Sequence, residues 1–319
     1  MSVTFSGAFT FSGGGFTATL APPVGPTAGW VGGGWTASPL TVVSSVERIT
    51  YATDTATATV RGPLSSTTYA QASAGTFTQG WFGAGRSGAP AYLRLSTVQR
   101  ITYATDTETA SVRGPLNTAP NFLGATSDQT TYGWFAGGTT AGPNLSSVER
   151  ITYATDTATA SLRGPLNYVQ AYMGTIGNTT DGWFVSGFNS RVQRITYASD
   201  TATASVRGPV AASVYYSAGA GTSTQGWIAG KNNEATNTNV QRITYATDTA
   251  TASVRGPLSV DVYRMSASTD DYTYGWWAGG SPSTSVVQRI TYATDTVTPS
   301  LKGPLTSARY STSATSGVQ

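Results

Sequence analysis

The sequence predicts an all-β protein, a six-bladed β-propeller with four antiparallel strands per blade, and three observations predict it. One stretch occurs six times, from VERITYATDTATATVRGPL at 46–64 to VQRITYATDTVTPSLKGPL at 287–305. The arginine of its Arg-Ile-Thr-Tyr core falls at 48, 100, 150, 194, 242 and 289, so the period runs between 44 and 52 residues. That is the length of a propeller blade, not of a helical repeat. A Gly-Trp phrase precedes each copy, at Trp30, Trp81, Trp134, Trp183, Trp227 and Trp276, and helix signals are missing throughout. Finally, the two ends of the chain look like complementary parts of one blade.

In chain order, residues 1–20 alternate apolar and small polar residues around Val3, Phe5, Phe9, Phe11 and Phe16, which reads as two short strands. The prolines of Ala21-Pro22-Pro23-Val24-Gly25-Pro26 make a stiff linker. Residues 1–26 are therefore expected to be a short N-terminal β arm for docking to a partner, or a loosely packed tail or one more strand laid against the barrel side, and residues 27–319 the propeller. Each blade then reads as a strand of small residues and aromatics, such as Val214-Tyr215-Tyr216-Ser217-Ala218, the Gly-Trp strand, the Arg-Ile-Thr-Tyr strand, and a Thr-Ala-Ser-Val-Arg strand ending at Gly-Pro.

The turn between the third and fourth strands, Ala52-Thr53-Asp54-Thr55-Ala56 in the first copy, hardly changes. Its aspartate is expected to hold the tight reversal by bonding the backbone ahead of it. Gly62-Pro63 and its equivalents are expected to protect an open outer edge, because proline supplies no N–H. The first blade lacks an inner strand, and the chain finishes with a spare one at 308–314. The ring should therefore be latched by its own C-terminus.

Composition narrows the function. The chain has no Cys and no His, so thiolate nucleophiles, imidazole bases, disulfides and ordinary zinc sites are excluded. Charged residues make up 10% of the chain and the net charge is +3. Twelve of the eighteen basic residues occupy two fixed repeat positions, which argues against a nucleic-acid footprint. No apolar run approaches the length of a membrane span, and membrane insertion is not expected. No metal or cofactor is expected either.

The residues resemble the kelch repeat. Its Gly-Gly pair followed by a strand with a tyrosine is visible as Gly33-Gly34 with Tyr51, Gly137-Gly138 with Tyr153, and Gly279-Gly280 with Tyr292. The pair is degraded to Ala84-Gly85, Ser186-Gly187 and Gly230-Lys231, and the kelch tryptophan of strand four is replaced by small residues such as Ala58 and Ala110. More specifically, the Arg-Ile-Thr-Tyr-Ala-Thr-Asp-Thr wording with a Gly-Trp-Phe-Ala-Gly-Gly phrase is similar to the kelch-like repeats of virion and tail-associated proteins of marine cyanobacterial phages. That resemblance implies a virion component, an adsorption protein of tail-fibre or tail-tip type, held to other virion proteins by the N-terminal arm.

The six tryptophans are read as inter-blade packing, and the ring of six repeat arginines as partners of neighbouring aspartates, carbonyls or aromatic faces. No carboxylates stand out as an acid/base pair, so the protein is read as not an enzyme. The copies disagree most in the loop between strands two and three, and binding concentrates in variable loops on rigid scaffolds. The candidate patch is Trp35, Arg86, Tyr92, Arg94, Asn144, Phe188, Asn189, Arg191, Lys231, Asn232, Asn233 and Glu234. Such a mix of aromatics, amides and cations suits a host-surface glycan or protein. A structural capsid decoration or tail connector, a propeller glycanase, and association of copies on the particle are the alternatives.

Overall fold

The computed structural model describes residues 25–37, 39–185, 189–231, 238–270 and 272–317. The N-terminal arm, with Val3, Phe5, Phe9, Phe11 and Phe16, lies outside them. Six four-stranded antiparallel sheets form the blades. The first comprises 313–315, 28–32, 46–50 and 59–61; the second 72–75, 79–83, 98–102 and 111–113; the third 124–127, 132–136, 148–152 and 161–162. The fourth comprises 174–177, 181–185, 192–196 and 205–207; the fifth 215–221, 225–231, 238–244 and 253–257; the sixth 266–269, 274–278, 287–291 and 300–302. The innermost strands touch one another in cyclic order, and the C-terminal strand 313–315 packs between those of the sixth and second blades. Closure by a C-terminal inner strand is therefore observed, but that strand is 313–315, not 308–314, and residues 309–310 pair with 35–36 in a separate sheet.

The recurring phrases are inter-blade parts. In every blade the Gly-Trp tryptophan pairs in register with the repeat arginine on the next strand, as Trp81 does with Arg100 and Trp276 with Arg289. Its ring stacks on the repeat tyrosine of the following blade. Centroids are 3.8 Å apart for Trp30–Tyr103 and 4.0 Å for Trp81–Tyr153, and Trp276 closes the circle on Tyr51 at 3.8 Å. Each such pair adds about 0.5–1.5 kcal/mol beyond the area it buries. The strand-two tryptophan is thus a seam residue between blades.

The repeat aspartate corrects a sequence expectation. The reversal after strand three is a single 3₁₀ turn, Tyr51–Thr53, followed by an Ala56 N–H to Thr53 carbonyl bond at 2.9 Å. The aspartate side chain does not serve that turn but reaches into the preceding blade. Asp156 accepts from Trp81 Nε1 at 2.8 Å and Arg100 at 3.0 Å, with Arg113 Nε at 3.5 Å. Asp54 takes Trp276, Arg289 and Lys302 across the closure. All six aspartates are buried, so their stabilising value lies in being fully paired.

Gly-Pro is also corrected. It does not guard an open edge but fastens one blade to the next. Gly62 N–H donates to the Asp106 carbonyl at 2.7 Å, and Pro63 accepts from Ala110 N–H at 2.8 Å. A Cβ on Gly62 would collide with the Glu108 carbonyl oxygen, which is why glycine stands there.

The kelch-like glycine pair is a backbone device. Gly33-Gly34, Ala84-Gly85, Gly137-Gly138 and Gly279-Gly280 all adopt positive φ, which only glycine does without strain. This double left-handed step ends strand two. Where the pair reads Gly230-Lys231, strand two of the fifth blade simply runs on to Lys231.

Candidate functional site

Strand direction places the loops between strands two and three, and the connections into each inner strand, on one side of the ring; the short turns lie on the other. On the loop side, each connection leaves a buried Leu or Val at 64, 116, 166, 210, 258 or 305. Six residues later it passes through Ala70, Phe122, Tyr172, Tyr216, Arg264 or Ser311. All six are left-handed, with φ from +48° to +58°, although none is glycine. A left-handed L-residue costs roughly 1–2 kcal/mol, so the surrounding structure has to impose it.

The imposing structure is a backbone ring around the propeller axis. Phe122 N–H donates to the Ala70 carbonyl at 2.8 Å, Ala70 N–H to Ser311 at 2.9 Å, Ser311 N–H to Arg264 at 2.7 Å, Arg264 N–H to Tyr216 at 3.1 Å and Tyr172 N–H to Phe122 at 2.8 Å. Between Tyr172 and Tyr216 the circle continues through their rings, whose centroids are 4.5 Å apart and edge-on. Six side chains of five types are thereby presented around the mouth of the central channel.

The mouth has two halves. In the third, fourth and fifth blades Phe122, Tyr172, Tyr215 and Tyr216 pack together, with Phe122–Tyr172 at 4.4 Å and Tyr215–Tyr216 at 4.4 Å. In the other half stand Arg264, Ser311 and Ala70. The Arg264 guanidinium lies 4.1 Å from the Tyr216 ring centre and donates to the Tyr216 hydroxyl at 2.8 Å. Burial raises the Tyr216 hydroxyl above its ordinary value of 10 while Arg264 pulls the other way, so the phenol keeps its proton.

Beneath the mouth lies a cavity of about 120 Å³, room for about four waters. Its walls carry hydroxyls: Ser313 and Ser73 share a 2.7 Å bond, and Thr312 donates to Ser266 at 3.0 Å. Among the buried lining atoms without a partner among the described residues, besides Arg264 Nε, are Gln71 Oε1 and Ser217 Oγ. A buried polar atom without a partner costs about 1–3 kcal/mol, so these two require water or a ligand group.

The sequence-predicted patch sits on the same side but further out. Trp35, expected in a loop, lies in a short strand, 35–37, that pairs with 40–42 and with 309–310. Its ring is 5.2 Å from Tyr69 and 6.0 Å from Tyr92. Arg86 donates to the Tyr92 carbonyl at 3.1 Å. Arg94 donates to the Thr139 carbonyl at 2.8 Å and to Asn121, and Thr139 bridges to Asn144. The Arg94 guanidinium is pushed below its usual value by burial first and by Arg86 second.

Those five residues come together across the first three blades. Asn189 and Arg191 stand apart on the fourth, where Arg191 lies 4.1 Å over Tyr168 and its N–H bonds Asn189 Oδ1 at 2.9 Å. Lys231 ends strand two of the fifth blade. Phe188, Asn232, Asn233 and Glu234 lie outside the described residues.

Sequence reasoning missed the mouth residues Phe122, Tyr172, Tyr216 and Arg264 because they look like the start of an ordinary inner strand. A usable signal existed. Their distance from the buried Leu or Val is constant while five residue types occupy the six copies, which is the reverse of a packing position.

No family model matches this chain, and no curated protein is similar to it. A solved structure described as "Structure of YjhT" superposes with a TM-score of 0.63 over 78% of this chain and 87% of that one, at 9% sequence identity. At that identity the likeness speaks for the propeller fold alone.

Proposed function

We propose that this protein is a virion component of tail-fibre or tail-tip type that attaches through its N-terminal arm and binds a host-surface glycan or protein on the loop side of the ring. The virion part rests on the resemblance of the repeat wording. The binding part is carried by one observation: the six register-equivalent residues at the channel mouth are of five types, tyrosine alone occurring twice, while their left-handed backbone is the same. A uniform scaffold holding unlike aromatic, cationic and small side chains is the arrangement of a recognition surface. Among the described residues that line the cavity none is a carboxylate, and the reading proposed is binding and not two-carboxylate glycoside hydrolysis.

The test is binding of purified protein to host cells and competition with phage adsorption. Retention of wild type and loss by Tyr172→Ala supports the reading; absence of binding by wild type sinks it. Deleting residues 1–26 should prevent incorporation into particles.

A second reading, a structural decoration or connector, is favoured by a separate feature. Val60, Val112, Leu162, Val206, Val254 and Leu301 stand at equivalent positions on the outer strands, 47–62% exposed, and form an aliphatic belt around the rim. Localising the chain within intact particles, with the belt either covered or free, separates the two.

A further inference from the structure

We propose that the ligand of the loop side is an acidic polysaccharide, whose carboxylate or sulfate group is taken by Arg264 at the channel mouth. This rests on the binding reading above and names its ligand class. The starting point is where the cations go. The repeat arginines and Lys302 are all used on the buried aspartates, and Arg309 on Glu47. Among the described residues, the arginines left without a carboxylate at ion-pair distance are Arg86, Arg94, Arg191 and Arg264, and all four lie on the loop side.

Carboxylates are distributed in the opposite sense. Exposed Glu108, and Asp128 and Asp270 in the turns between strands one and two, belong to the turn side. On the loop side the exposed carboxylate among the described residues is Asp261. Four arginines without a carboxylate at ion-pair distance thus share the loop side with one exposed described carboxylate, a local positive excess that attracts anions to the mouth.

Arg264 is the site's centre for three reasons. Its guanidinium is already flattened on Tyr216 and fixed by that hydroxyl, so little side-chain entropy remains to be lost on binding. It borders the small-residue half of the mouth, where Ser311 and Ala70 line the cavity. Its Nε, Gln71 Oε1 and Ser217 Oγ are buried without partners, and all three residues line the cavity. An anion on the guanidinium with sugar hydroxyls reaching the amide and serine would satisfy them together, and the aromatic half offers faces for the sugar's C–H bonds.

The experiment measures binding of the full chain to alginate, a sulfated galactan, neutral dextran and a single-stranded DNA oligonucleotide at low and high salt. The variant is Arg264→Gly, because glycine accepts the left-handed φ of this position without strain. Expected is retention on alginate or the sulfated galactan that falls at least tenfold at high salt and at least tenfold in R264G, with the unfolding midpoint preserved and dextran not retained. The two acidic glycans tell carboxylate from sulfate.

Equal binding of dextran, tighter binding of DNA, or undiminished binding by folded R264G overturns the proposal. If R264G does not fold, R264N replaces it, because asparagine also tolerates the left-handed φ, and undiminished binding there overturns the proposal equally. Host-cell binding that ignores salt and R264G leaves the adsorption reading standing and removes the acidic ligand. Alginate binding without host-cell binding does the reverse.

Discussion

Two rings run around this molecule, each built from one contribution per blade. The outer one joins the tryptophan and cations of each blade to the aspartate of the next, with the same residues in every copy except Lys302 in place of an arginine. The inner one joins the left-handed residues at the channel mouth, and no residue type there serves all blades. Identical chemistry marks a problem solved once and copied, the docking of one blade on its neighbour. Unlike side chains on an identical backbone mark positions released from packing, and these are the positions able to recognise something. The difference shows that strict repetition in a propeller sequence points to the seams and that constant spacing with changing identity points to the site.

The largest expected effect breaks the outer ring by pH. Burial raises the hydroxyls of Tyr51, Tyr103, Tyr153, Tyr197 and Tyr292 above their usual value of 10, their hydrogen bonds to Ser or Thr opposing it. Above pH 10 the unfolded chain releases protons that the native state keeps, so stability is intact below that pH and lost as pH rises. At about 1.4 kcal/mol per tyrosine per pH unit, the five together cost about 7 kcal/mol per unit. Denaturant unfolding followed from neutral pH into this range, with phenolate absorbance recorded in parallel, should show ionisation coinciding with unfolding; ionisation of the folded protein would contradict it.

Next comes Asp156→Ala, which strands Trp81 Nε1 and two arginines at a buried seam and should cost about 3–5 kcal/mol in chemical denaturation.

A third comparison uses two buried glutamates at one repeat position that elsewhere holds glutamine. Glu47 is paired with Arg309, itself buried at 1% exposure, whereas Glu149 accepts from Asn117 and Thr118 without a cation. E47Q leaves the arginine of the closing connection unpaired and should cost about 3 kcal/mol. E149Q exchanges hydrogen-bond partners and should cost about 0–1 kcal/mol. Equal values for the two would mean that the closure ion pair has no special role.

At the inner ring, Tyr172→Ala should lose about 1–2 kcal/mol of stability from ring contacts while removing most host-cell binding, the opposite weighting to Asp156→Ala. The smallest effect is Ala84→Gly, which relieves a left-handed alanine at φ +62° and should raise stability by about 0.5–1 kcal/mol. A loss there would show that the alanine methyl is needed for packing.

Much of the fold was legible because each blade solves the same local pairing problem, so Gly-Trp, Arg-Ile-Thr-Tyr and Gly-Pro recur at one period. The aspartate of the turn was misread because its partners lie far along the chain; Trp81 and Asp156 are 75 residues apart. The candidate patch was half legible. Loop-length variation led to Trp35, Arg86, Tyr92, Arg94 and Asn144, which do meet. Tyr172 and Arg264 carry no such mark, since they sit in a connection of constant length.

By itself the amino-acid sequence determined six blades, the order of strands within each, and closure by the C-terminal strand, because hydrogen-bonded ladders and the burial of both sheet faces impose a local pattern that repetition makes visible. Only the tertiary structure decided which blade each aspartate serves, which arginines are left over, and that six residues of five types surround one opening. Those are consequences of bending the array into a ring, which brings together residues that no local periodicity connects.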